Sequence, residues 1–168
     1  VRPVCLELKS VQHGCHAAHT HPSYAGIRHL RWVDLNLRSI AEIQKAIRVR
    51  AAKTPAGDWV IGFKYDDTKT REGRKLTRGD LDAAAPAHPV FIEHRGGHTA
   101  YVNLLALRRT EVGDATADPE GGKFDRDPAT GDLPGGLRET ATVLFRKLIP
   151  SPFTRAQLRQ TVKRIPTQ

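Results

Sequence analysis

The sequence predicts an α/β or α+β fold, a small mixed sheet with helices packed on it. Three observations carry this. Some segments repeat apolar residues at helical spacing and others alternate them at strand spacing. Helical and extended segments then succeed one another along the chain, with no internal repeat. With 168 residues, 39% hydrophobic and 27% charged, the chain also has the size and balance of one globular domain.

The elements follow in order. Val4, Leu6 and Leu8 alternate and predict a short strand, and Cys15 to His21, bounded by Gly14 and Pro22, is read as extended. From Arg31 to Leu37, Val33, Leu35 and Leu37 share one face of a strand. Ser39 and Glu42 form a capping-box pattern, after which Ile40, Ile43, Ile47 and Ala51 recur at helical spacing until Pro55 and Gly57 stop the helix. Trp59, Ile61 and Phe63 alternate in a strand from Asp58 to Tyr65, and a charged loop runs from Asp66 to Gly73. Thr77 caps a short helix through Ala85, with Asp80 placed favourably near its positive end. Val90 to His94 reads as a strand, Gly96 and Gly97 as a sharp connection, and His98 to Arg109 as a helix. Segments Lys123 to Asp127 and Asp132 to Leu137 flank a hairpin turn at Pro128 to Gly131. Glu139 to Leu148 is helical, ended by Pro150 and Pro152. Thr154 and Gln157 open a last helix to Ile165, with Leu158, Val162 and Ile165 as its apolar stripe.

The formal charge of +9 and a pI near 10.0 admit an anionic partner. The basic residues are dispersed, however, and those at Lys45, Arg48, Arg50 and Lys53 and at Arg155, Arg159, Lys163 and Arg164 fall on polar helix faces. No interleaved aromatic residues offer a base-stacking platform, so nucleic acid is not the expected partner. No apolar run is long enough to span a membrane and no signal peptide is visible. Cys5 and Cys15 form no CxxC motif and no disulfide framework, and the expected location is cytoplasmic.

The chemistry-bearing residues concentrate near the start. His19 and His21 stand at i and i+2, so on an extended segment both rings point to one side and can grip one metal ion. They can equally be two ordinary loop histidines beside His13, His16 and His29. Cys15 is placed either to touch the same ion or to fill space as a small apolar residue. His94 and His98 flank Arg95-Gly96-Gly97; His98 is expected at a helix N-terminus, and the simpler reading there is a tight strand-to-helix turn with a capping histidine. Asp66 and Asp67 are expected to diverge at a strand end unless a partner reaches them from elsewhere. No nucleophile elbow or phosphate-binding glycine loop is present.

Several motifs stand in one order. They are Gly14 to Pro22 with its His19-Thr20-His21; Trp59-Val60-Ile61-Gly62 with Tyr65-Asp66; Leu76 to Asp82; His88-Pro89-Val90-Phe91; Gly97-His98-Thr99-Ala100 with Asn103; Gly121-Gly122; and Gly136-Leu137-Arg138-Glu139. Over roughly residues 14 to 150 this resembles the amidohydrolase superfamily, and within it the amidohydrolase-3 group of YtcJ-like and N-substituted formamide deformylase-like enzymes. The first stretch resembles the superfamily's D-x-H-x-H signature, with Ala17 in place of the aspartate.

The resemblance implies metal-dependent hydrolysis of an amide or other C–N bond of a small molecule. It implies a divalent metal, zinc by preference, with His19 and His21 as its first ligands, and His98 close to the substrate. It also implies a stub at 1–22 carrying the histidine pair and an α/β domain at 23–150 like the insertion of a metal-dependent TIM-barrel hydrolase; the C-terminal amphipathic helix at 151–168, read from its capping pattern and apolar stripe, makes a third part. A whole barrel takes about 250 residues, so the remaining metal ligands and catalytic groups are expected outside this chain. The chain reads as a truncated piece that is inactive by itself, and Val1 and the absence of methionine agree with an excerpt. Apolar surface left by the missing barrel is expected to drive self-association, with the last helix as the contact. The rival readings are a small-ligand or protein-binding module using the loops around Gly96 to His98, and a basic nucleic-acid-binding domain.

Overall fold

The computed structural model describes residues 31–150, so the predicted N-terminal strand, the histidine pair and the last helix lie outside the described residues. A six-stranded sheet organises the rest. Its strands are β1 (Val33–Asp34), β2 (Val60–Tyr65), β3 (Val90–His94), β4 (Thr99–Val102), β5 (Gly122–Phe124) and β6 (Gly136–Glu139). The helices are α1 (Ile40–Ala51), α2 (Arg78–Ala84), α3 (Leu104–Arg109) and α4 (Thr140–Arg146), with a 3-10 turn at Asp67–Lys69.

The spatial order is β1-β2-β3-β4-β6-β5. β1, β2 and β3 run parallel, and the pairs β3–β4, β4–β6 and β6–β5 are antiparallel. Among the described residues the sheet is open, with β1 and β5 at its edges and no barrel closed. The expected mixed α/β architecture is therefore present.

Both faces of the sheet are covered, which is why Val60 to Phe63 of β2, Val90 to Ile92 of β3 and Ala100 to Val102 of β4 are runs of buried residues without a polar side chain on alternate positions. Ile40, Ile43 and Ile47 of α1 and Leu81 and Ala84 of α2 pack with Val60, Val90, Ile92 and Tyr101 on one face. Ala106 and Leu107 of α3 and Ala141 and Phe145 of α4 pack with Ile61, Phe91, Ala100, Val102 and Leu137 on the other. Asn103 joins these parts from a fully buried position. Its Oδ1 accepts the N–H groups of Val90 and Ala106, at 2.9 and 3.1 Å, and its Nδ2 donates to the His88 carbonyl at 2.9 Å.

Local signals worked where caps were written into the chain. Thr77 and Asp80 form the full reciprocal capping box of α2. At α1 only half of the expected box forms: Ser39 Oγ accepts the Glu42 N–H, while the Glu42 carboxylate turns to the N–H of Arg38 at 3.0 Å. Glu72 instead takes the Ile40 N–H, at 2.8 Å, from 32 residues away.

Three expectations are corrected. The segment from His98 is not a helix: Thr99–Val102 is β4, and the helix starts only after Asn103. This four-residue strand pairs with β3 on one side and β6 on the other, Ala100 and Tyr101 with both, and gains ladder bonds that an isolated helix turn cannot match. His98 therefore sits in a strand-to-strand turn, not at a helix N-terminus. Glu139 likewise ends β6, and α4 begins at Thr140.

The strand alternation also breaks inside β2. Lys64 has φ 62°, and the register with β3 shifts between Gly62 and Tyr65. This bulge turns Tyr65 away from the face of Trp59 and Ile61 and into the cluster with Leu76, Leu81 and Tyr101.

Candidate functional site at the carboxyl end of the sheet

The parallel strands β2 and β3 end at Tyr65 and His94, and the turn to β4 and the end of β6 lie at the same end of the sheet. In open α/β sheets this end is where ligands bind, because the loops there are free to carry chemistry while the strands hold them still. Asp66, Asp67, His94, Arg95, His98 and Glu139 all gather here, although they come from three separate stretches of the chain.

Asp66 is the fixed point. It is 5% exposed, and Oδ1 accepts both the N–H and the hydroxyl of Thr68, at 3.1 and 2.7 Å. Oδ2 accepts from Arg95 at 2.9 Å. The Thr68 hydroxyl and the Arg95 guanidinium hold the carboxyl down at about 2. Asp67 and His94 form a second link, Oδ1 to Nε2 at 3.2 Å. Beneath them the ring of Tyr65 meets His94 edge-on at 6.2 Å and Tyr101 at 5.1 Å. Burial pushes the Tyr65 hydroxyl up to about 12 and raises that of Tyr101 as well.

Asp66, Asp67 and His94 offer three ligand atoms within 4.8 Å of one another, the spacing of a candidate metal centre. Its hydrogen bonds argue against it. His94 Nδ1 accepts the Gly96 N–H at 3.2 Å, which leaves Nε2, 3.2 Å from Asp67 Oδ1, to carry the ring proton. Asp66 is engaged by Thr68 and by the cation of Arg95. A divalent ion would have to displace each of these bonds beside a fixed positive charge. The group does not fit a metal and is a self-satisfied clasp between the ends of β2 and β3.

His98 and Glu139 form a separate pair. Nδ1 lies 2.9 Å from Oε2, with the side chains 76% and 58% exposed. Behind them Arg146 of α4 donates to the Gly97 carbonyl at 3.1 Å and approaches Glu93 at 3.7 Å. A groove of about 620 Å³ lies elsewhere, over α1, lined by residues such as Trp32, Leu37, Ala46 and Val49. It shares no residue with this end of the sheet and lacks its chemistry.

Of the residues singled out from sequence, His98 stands in this site, while His19 and His21 lie outside the described residues. Asp66 and Asp67 do not simply diverge, because His94 and Arg95 reach them from the next strand. Glu139 was missed as a partner of His98, since 41 positions separate them and no local pattern joins them.

A model of the Amidohydrolase family matches residues 17–165. N-substituted formamide deformylase of Arthrobacter pascens is 33% identical over 140 residues, covering 82% of this chain and 26% of that protein. Putative amidohydrolase YtcJ of Bacillus subtilis (strain 168) is 32% identical over 134 residues, covering 79% and 25%. The crystal structure of an uncharacterized metal-dependent hydrolase from Pyrococcus furiosus superposes with a TM-score of 0.55 at 26% identity, covering 86% of this chain and 27% of that one. The chain spans about a quarter of the length of these relatives.

Proposed function

The chain belongs to the amidohydrolase family, and from that premise we propose that it is the α/β segment of a metal-dependent hydrolase acting on an amide or related C–N bond of a small molecule. The observation that carries this reading is the family match across residues 17–165, together with relatives whose names state amide chemistry.

In this reading His19 and His21 are the first ligands of a divalent metal, and zinc suits a pair of imidazoles better than a purely oxygen-liganded ion does. Such an ion supplies an activated water near neutral pH. The described residues contribute binding. His98 stands exposed in the β3–β4 turn as the substrate contact, and Arg146 braces that turn through the Gly97 carbonyl. Two imidazoles do not complete a catalytic zinc site, so in this reading hydrolysis draws on further metal ligands and catalytic groups besides this pair. Self-association through apolar surface has support in Val143, Leu144 and Leu148, which are exposed on and just after α4. A cytoplasmic setting rests on the two cysteines that form no framework.

The test is metal content after purification without chelator, on the chain and on a His19→Ala/His21→Ala variant. Stoichiometric divalent metal in the chain and its loss in the variant support the reading. Equal metal content in the two proteins, or none in either, removes the histidine pair as ligands.

A further inference from the structure

We propose that Glu139 is a positioning residue that fixes His98 in its Nδ1–H tautomer, so that Nε2 is presented at the carboxyl end of the sheet as a hydrogen-bond acceptor for an N–H donor. The proposal deepens the reading of His98 as a substrate contact and rests on it for the identity of that donor, the N–H of an amide-type ligand.

Three observations converge. The first is the geometry of the pair. An ionised carboxylate can only accept, so at 2.9 Å the proton between Glu139 Oε2 and His98 belongs to Nδ1. A neutral imidazole carries one ring proton, and Nε2 is then left with its lone pair. This is opposite to His94 in the same turn, whose Nδ1 accepts from Gly96 and whose Nε2 faces Asp67. Two histidines four residues apart are thus held in opposite tautomers.

The second observation is that Glu139 holds the turn twice. Its own N–H donates to the His98 carbonyl at 2.7 Å, while its side chain takes the ring. Backbone and imidazole of one residue are fixed by the backbone and carboxylate of another.

The third is strain. Glu139 has φ 49° and ψ −123°, a conformation that glycine adopts and other residues avoid. The surroundings enforce it. Thr142 Oγ1 donates to the Glu139 carbonyl at 2.8 Å, and Thr140 Oγ1 donates to that of Glu120 at 2.6 Å. The paired residue is Gly122, where an added Cβ would lie 2.4 Å from the Ala141 nitrogen. A glycine at 139 would relieve the backbone and keep all of these bonds. An exposed carboxylate–imidazole hydrogen bond adds little stability that could offset the strain. What glutamate supplies there and glycine does not is the carboxylate on His98.

The experiment is a two-bond ¹H–¹⁵N correlation spectrum of the full chain labelled with ¹⁵N-histidine, recorded with the rings neutral, on wild type and on Glu139→Gly. In wild type the His98 resonances should show Nδ1 protonated and Nε2 bare. In Glu139→Gly, which relaxes the backbone and keeps the fold, they should move to the tautomer mixture of histidine in the urea-unfolded chain. A wild-type His98 already showing that mixture, or a ring unchanged in Glu139→Gly, overturns the proposal. The spectrum needs no substrate and no metal. Loss of the metal reading at His19 and His21 therefore leaves this result standing, and the reverse also holds.

Discussion

Asp66 Oδ2 and Arg95 Nη1 meet at 2.9 Å, and this contact ties the end of β2 to the turn that follows β3. The carboxylate is buried and the arginine is 59% exposed, so the pair anchors a surface turn to the interior. Among the described residues, the other ties from the end of β2 to the β3–β4 turn are the Asp67–His94 link and the Arg95 N–H bond to the Tyr65 carbonyl.

Acid should loosen this end of the sheet first. Asp66 is lowered from 3.8 to about 2 by the Thr68 hydroxyl and Arg95, and Asp80 is lowered to about 2 chiefly by Arg74. A carboxyl whose folded-state value is depressed contributes stability that is complete above its unfolded value and lost as pH falls through the folded one. Stability should therefore drop between 3.8 and about 2, and the drop should be shallower in Asp66→Asn and in Asp80→Asn. Denaturant midpoints measured across that window check it. Variant curves running parallel to wild type would contradict the assignment.

Tyr65→Phe should destabilise the fold without altering its shape. The hydroxyl accepts the buried Leu76 N–H at 3.0 Å, and the bulge at Lys64 is what brings it there. Removing it leaves a buried donor unpaired, which costs about 1–3 kcal/mol. A urea melt that shows no loss would mean that Leu76 finds another acceptor.

Two glycines should tolerate alanine very differently. At Gly135, φ is +99° and a Cβ would lie 2.3 Å from the Val102 carbonyl oxygen, which itself belongs to β4. At Gly131, φ is +78° but nothing lies within 4 Å. Both substitutions carry the backbone cost of a left-handed residue, about 1 kcal/mol or more. Only Gly135→Ala adds a clash with fixed backbone, so its thermal midpoint should fall several degrees further than that of Gly131→Ala. Equal shifts would show that β4 yields at Val102.

Range along the chain separates what local pattern settles from what it does not. The capping box of Thr77 and Asp80, the apolar stripe of α1 and the strand Val90–His94 were legible because each is settled within a few residues. From His98 on, the spacing of Val102, Leu105 and Ala106 suits a helix locally, whereas pairing to β3 and β6 makes Thr99 to Val102 a strand. The Asp66–Arg95 and His98–Glu139 links span 29 and 41 positions, and no local rule relates residues that far apart.

By itself the sequence determined the mixed α/β class, the capped starts of α1 at Ser39 and α2 at Thr77, and the family, whose motifs are written in order along the chain. Only the tertiary structure decided that Tyr65 faces the α1 side of the sheet, that Thr99 to Val102 is a strand, and that Glu139 is bent into a glycine-like conformation against His98. The physical reason is the same in each case. Hydrogen bonds to distant strands and the packing of two covered faces outweigh local preferences of about 1 kcal/mol per residue or less.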